Sequence, residues 1–322
     1  MIKTRHNSLV MKAKAVQIVT AVLRTVVIIG LCYLFLFPLF YLIIRAFQDP
    51  VSSMDPMVVW IPKKLSLENM RYAVEMLHYG DSFLLSLSIT LCSTAATLIS
   101  CSLVGYGFAR FQFFSRRLGF ALVILTIIVP PQTILVSSYL NYTYFDLFGL
   151  LRLLSPLTGT ASIDLIKGPL PFVLPALFGC GLRSGLFIFI FRQFFMGQPK
   201  ELEEAARIDG CGALRTFLRI MAPLAVPAFI TVFLFSIVWH WNDFYSSSIY
   251  YSMAESRPLT VMLNTMIESL QSQISGGVSH TPAEVLGALA AGCLSLILPL
   301  LIIYAFTQKY FTESVERAGI VG

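Results

Sequence analysis

Six apolar runs constrain this chain more than any other feature: residues 25–44, 83–108, 118–140, 171–191, 224–241 and 285–306. A bilayer core of about 30 Å takes about 20 helical residues to cross. In lipid every backbone N–H and C=O must find a partner inside its own segment, so each run predicts a helix. Hydrophobic residues make up 57% of the chain and charged ones 12%, against about 45–50% and 25% in a soluble domain. The expected fold class is an all-α integral membrane protein with six transmembrane helices. The first run is too long for a signal-peptide core and meets Arg45 with no small-residue cleavage site, which makes it a retained span.

Short cytoplasmic loops collect Lys and Arg. An inside N-terminus places Lys3, Arg5, Lys12, Lys14 and Arg24 there, Arg110, Arg116 and Arg117 in the next inner loop, and Arg192, Lys200, Arg207, Arg215 and Arg219 in the one after. An even number of spans then puts both termini in the cytoplasm. The net charge of +6 thus reflects topology, and no basic patch interleaved with exposed aromatics supports nucleic-acid binding. The six cysteines have neither a disulfide framework nor metal-ligand spacing, and His6, His78, His240 and His280 are scattered. No metal site is expected.

Between the fourth and fifth runs lies a charged, helix-prone segment with a glycine at its centre. Pro199 suits a first helical position, and Glu201, Glu203 and Glu204 follow where the helix dipole favours negative charge. Gly210 can take the left-handed conformation that ends a helix. From Ala213, the apolar residues Leu214, Phe217, Leu218 and Met221 recur at helical spacing up to Pro223. Two short helices around a tight turn are predicted. Ala205 and Ala206 leave the first without bulk on one side, so another protein's surface can approach its backbone.

In this segment Glu204, Ala205, Ala206, Gly210, Ile220 and Pro223 fall at the places of the EAA motif, and the segment resembles the coupling loop of the membrane subunits of ATP-binding cassette importers. Ala222 stands where that family usually has Leu. The block FRQFFMGQPKELEEAARIDG and the WNDF at residues 241–244 resemble the carbohydrate-uptake branch, most closely the shorter maltose-type permease subunit. The likeness runs from about residue 83 to the C-terminus.

The resemblance implies a type I importer permease fold and a subunit that translocates a sugar or oligosaccharide. Coupling residues implied by it are Glu204, Ala205, Ala206, Asp209, Gly210, Ile220 and Pro223, in a loop at residues 197–223. Implied partners are a second permease subunit of a different sequence, a dimer of ATPase subunits that binds ATP and Mg, and an extracytoplasmic solute-binding protein. The expected order is a basic cytoplasmic lead at 1–24 on the inner leaflet, a first span at 25–44, an extracytoplasmic segment at 45–81 with a short surface helix near 67–77, a five-helix domain at 82–306, and a cytoplasmic tail at 307–322. The tail resembles those that reach towards the ATPase dimer, although Val321 replaces a commonly basic residue. The setting is the bacterial cytoplasmic membrane.

Pro130 and Pro131 interrupt the third run and free backbone carbonyls, which either line a pathway or mark a packing kink. Arg183 stands inside the fourth run and needs protein or water around it. It reads as a structural pair or as a substrate contact. At the end of the fifth run, Trp239, Trp241, Asn242 and Asp243 combine aromatic faces that stack on sugars with groups that hydrogen-bond hydroxyls. An interfacial aromatic belt has the same composition, and in the maltose-type case the sugar contacts lie mainly in the partner permease. No phosphate-cradling loop, nucleophile elbow or HExxH is present, so the chain is not expected to hydrolyse ATP itself. A secondary transporter would carry intramembrane acids, and the six runs contain no Asp or Glu. An importer subunit for another polar solute remains open at this level.

Overall fold

The computed structural model describes residues 2–50, 62, 64–146, 149, 151–153, 161–166, 168–252, 254–275 and 282–319. Among these the chain is helical, with no strand beyond two isolated bridges, Gln48 with Leu65 and Phe145 with Ile163. Three helices are long and apolar enough to cross a membrane: Val16–Phe47, Tyr79–Arg110 and Glu284–Lys309. Two sharply bent helix pairs raise the number to five if each pair is one span.

The differences from the expected six lie where backbone chemistry breaks a helix. The third run divides into Arg116–Ile128 and Pro131–Thr143, bent by 96°, because Pro130 and Pro131 both lack the N–H that would continue the ladder. The fourth run is two helices, Leu170–Leu177 and Ser184–Met196. Between them Gly179 and Arg183 take φ of 68° and 58°, and a right-handed helix does not pass through left-handed residues. Each piece is too short to cross a bilayer alone.

Elsewhere helices exceed their expected limits. The first runs unbroken over Ile2–Phe47, so the basic lead is not a separate surface element. No proline or glycine precedes Gly30 to interrupt it. The last runs over Pro282–Gly319, past the expected boundary at 306, and Val321 lies outside the described residues. The short helix expected near 67–77 is Glu68–Met76. Two helices without an apolar run of spanning length, Phe244–Tyr250 and Leu259–Ser275, were not anticipated.

The chain divides into two compact units, Met1–Val74 with Leu270–Ser295, and Glu75–Ser269 with Leu296–Gly322. In the first, the buried Asn69 amide donates to Arg45 O at 3.2 Å and to Gln48 O at 2.9 Å. It thereby satisfies carbonyls that the end of the first helix leaves open. In the second, the Tyr79–Arg110 helix is central and presents Ser86, Thr90, Ser93, Thr97 and Ser100 on its buried face. Helices in lipid associate by close packing and interhelical hydrogen bonds, which small hydroxyl residues allow. Thr94 and Ser236 hydroxyls pair at 3.0 Å, and Ser86 Oγ accepts from Leu259 N at 2.8 Å.

Towards Arg110 the packing turns aromatic, with Tyr106, Phe191, Phe195 and Phe217 in one cluster. Gly105 is its tightest point. A Cβ there would come within 2.6 Å of Phe191 Cβ and 3.0 Å of Arg192 N, whereas one at Gly107 would meet nothing within 4 Å. Gly105→Ala should therefore destabilise the protein by about 1–3 kcal/mol, the usual cost of overpacking. Gly107→Ala should not. Thermal unfolding of the two purified variants checks this, and equal midpoints would contradict the packing described.

Candidate functional site

The predicted hairpin is present as Glu201–Ile208 followed by Ala213–Thr216, a π-turn at Phe217–Met221 and Ala222–Leu224. Gly210 has φ 76° and a Cβ there would meet nothing within 4 Å, so conformation and not space demands the glycine. Gly210 N donates to Arg207 O at 3.0 Å and Cys211 N to Ala206 O at 2.9 Å, which closes the first helix. Pro199 lies just ahead of that helix, and the Lys200 carbonyl accepts its first bond, from Glu204 N at 3.1 Å.

The faces of the hairpin differ from expectation in one respect. Ala206 is buried and only Ala205 is exposed, together with Glu204, Asp209, Gly210 and Pro223, while Ile220 is half-buried. Ile208 is 87% exposed, so the open surface is apolar at its tip. Pro223 does not end the second helix. The wider π-turn before it accommodates the missing N–H, and the chain bends by 79° between Ala213–Leu224 and Val226–Trp241.

Glu203 was expected only as a dipole partner, but its side chain is buried against Arg110, with Nε 3.4 Å from Oε1. Arg110 Nη2 also donates to Gln198 O at 2.8 Å, and Tyr106 lies beside Glu203. Arg116 donates from Nε to Phe108 O and from Nη2 to Ala109 O, covering the last carbonyls of the same helix. The hairpin is thus fixed to the end of the Tyr79–Arg110 helix by charge. Sequence reasoning missed Glu203 and Arg110. The available signal was the i, i+3 spacing of Glu203 and Ala206, which places an acid on the face that Ala206 buries.

In the same unit a cavity of about 430 Å³ lies at the two helix breaks, and its lining includes Pro130, Pro131, Arg183, Ser184, His240 and Asp243. The proline break therefore does line a cavity. Of the aromatic–polar cluster only Asp243 reaches this wall. Asp243 Oδ1 accepts from Ser246 N at 3.1 Å and caps Phe244–Tyr250; burial pushes its carboxyl up, and the bonds from Ser246 pull it back. Trp241 is 2% exposed, edges Phe83 at 5.9 Å and donates from Nε1 to Leu296 O at 3.1 Å. It is enclosed in packing because its indole N–H has found a backbone partner. Trp239 stacks on Phe235, and Asn242 Nδ2 turns back to Val238 O. His240, between Trp239 and Trp241 in the sequence, also stands on the cavity wall.

A helical membrane subunit that presents a glycine-centred hairpin at one end of its spans has the form of the membrane component of a transport complex. The chain belongs to the family described as binding-protein-dependent transport system inner membrane component, which matches residues 101–317. It is similar to the arabinooligosaccharides transport system permease protein AraQ of Bacillus subtilis (strain 168), 29% identical over 300 residues that cover 91% of this chain and 92% of the relative. The melibiose/raffinose/stachyose import permease protein MelC of the same organism is 28% identical over 265 residues, 82% of this chain and 84% of the relative. In fold it is like a chain in the crystal structure of a bacterial ABC transporter involved in the import of the acidic polysaccharide alginate, with a TM-score of 0.69 and 20% identity over 91% of this chain and 96% of that one. The family expected from the EAA motif is the family found: an ABC importer permease, a multi-pass component of the cytoplasmic membrane.

Removing one member of a buried ion pair costs about 3–5 kcal/mol, whereas replacing both with apolar groups is close to neutral. Glu203→Ala and Arg110→Met should each expose the hairpin to limited proteolysis, and the double variant should regain protection. Additive losses in this cycle would contradict a coupled pair.

Proposed function

We propose that this chain is one of two permease subunits that carry a sugar or oligosaccharide across the bacterial cytoplasmic membrane, driven by ATP hydrolysis on a separate ATPase dimer. Saccharides are named as the cargo of the relatives above, which supports that substrate class. The observation that carries the coupling is the hairpin itself. Gly210 at φ 76° turns the chain so that Glu204, Ala205, Asp209 and Ile208 face outward while Glu203 ties it inward to Arg110. A docked ATPase surface that closes can then drag the spans as a rigid body. Ile220 and Pro223 shape the second arm.

In this reading ATP and Mg are held by the partner ATPase, and this chain contributes motion and a path, not hydrolysis. An extracytoplasmic solute-binding protein delivers cargo, and the second permease, a different chain, completes the pathway. Leu170–Leu177 with Ser184–Met196 supplies a sixth crossing in two pieces, which keeps both termini and the hairpin on the cytoplasmic side, in accord with the distribution of Lys and Arg. Within the cluster at 239–243, Asp243 is assigned to the pathway, Trp239 supports Arg183, and Trp241 and Asn242 hold the end of their helix.

A side chain with a Cβ in the left-handed conformation costs about 1–2 kcal/mol, and a β-branched one adds crowding. Gly210→Val should insert normally yet lower uptake of radiolabelled oligosaccharide about tenfold or more, the equivalent of about 1.4 kcal/mol. Wild-type uptake at normal insertion would remove the coupling assignment.

A further inference from the structure

The helix ends that carry Arg116, Arg117 and Arg192 hold positive charge with no acid to answer it. From Ser82 to Phe145 and from Leu165 to Lys200 the sequence contains neither Asp nor Glu. Other bases in the same unit differ: Arg110 is paired with Glu203, and Arg207 shares its short helix with Glu201, Glu203 and Glu204. None of Arg116, Arg117 and Arg192 has an ion pair among the described residues.

Packing gathers the three. Arg116–Ile128 lies against Ser184–Met196, and the Arg192 guanidinium sits 3.9 Å from the centroid of the Phe120 ring. Phe120 follows Arg116 by four residues and Arg117 by three, the helical spacings at which side chains are neighbours. Arg116 donates from Nε and Nη2 to Phe108 O and Ala109 O at 3.0 and 3.3 Å, which fixes its side chain and leaves Nη1 without a partner among the described residues. It is close enough to Arg192 for the two charges to repel. Arg192 Nε is buried without a partner, and Arg117 is exposed. An anion placed between such guanidiniums turns repulsion into attraction.

The surroundings indicate what carries the anion. Ahead of Arg116, Phe111, Phe113 and Phe114 are exposed, Phe114 completely. Beside Arg117, Leu118, Ala121 and Leu122 are exposed on the same helix. Apolar surface that adjoins the charges suits an anion with hydrocarbon attached. A small hydrated anion would leave that surface in water.

We propose that this pair of helices binds an anionic phospholipid, its phosphate on Arg116, Arg117 and Arg192 and an acyl chain along Leu118, Ala121 and Leu122. Basic pockets between membrane helices bind such headgroups, and guanidinium matches phosphate with paired N–H donors. A zwitterionic headgroup brings its own cation to the same three arginines and binds less well.

The test uses the purified assembled complex in phosphatidylcholine vesicles doped with a lipid that is photoreactive near the top of one acyl chain, either phosphatidylglycerol or phosphatidylcholine. Mass spectrometry after illumination maps and counts the adducts at residues 111–122, a readout that involves no transport step. Phosphatidylglycerol should label this stretch the more strongly. Arg117→Gln and Arg192→Gln should each lower its yield about fivefold, the share of one basic contact with an anionic lipid, and Arg117→Lys should keep most of it. Phosphatidylcholine adducts should be the same in all variants, and Arg215→Gln, at an exposed arginine outside the cluster, should change neither yield. Arg117 is exposed and unpaired, so its variants assemble even if loss of Arg192 from the Phe120 ring prevents assembly. Equal labelling by the two lipids, an unchanged phosphatidylglycerol yield in Arg117→Gln, an equal fall in Arg215→Gln, or no adduct at residues 111–122 because another subunit covers them overturns the lipid site.

Discussion

Burying Glu203 against Arg110 strips water from two charges, and that cost is offset only while the two stay together. The pair therefore acts as a latch between the first arm of the hairpin and the end of the Tyr79–Arg110 helix. Arg110 extends it by donating to Gln198 O, ahead of the hairpin. Behind the latch, Tyr106 packs on Phe195 and Phe217, so the second arm joins the same aromatic cluster. Gly105 lets Phe191 approach closely enough for that cluster to close. A force applied at exposed Ile208 has a continuous path of charge and packed rings into the spans.

The other end of the same helix bundle is organised by interruptions. Prolines 130 and 131 bend one span by 96° and the left-handed residues Gly179 and Arg183 divide another. In lipid such breaks survive only where protein or water meets the freed backbone groups, and here both border one cavity. The hairpin is thus tied to the Arg110 end of the Tyr79–Arg110 helix, and the cavity lies at the two breaks.

Much of this was legible in the residues. The hairpin could be placed because Gly210, the acids ahead of it and the spacing of Leu214, Phe217 and Met221 are local signals, each with its own backbone or dipole cause. The proline break was legible for the same reason. The split of the fourth run was not, because Arg183 in a left-handed conformation is imposed by surroundings that a hydropathy window does not see. The burial of Glu203 was missed because its partner stands far away in the chain. Within the cluster at residues 239–243, neighbours in sequence face different ways: Trp241 enters packing, while His240 and Asp243 line the cavity.

The claim that the hairpin and the Tyr79–Arg110 helix move as one body can be measured directly. Spin labels at Ile208 and at the fully exposed Phe114, in the assembled complex, report the distance between the hairpin tip and the loop that follows that helix. The account predicts one narrow distance distribution, the same in the nucleotide-free and ATP-trapped complex, that broadens when Glu203→Ala opens the latch. A distance that shifts with nucleotide while Glu203 and Arg110 are both in place would contradict it.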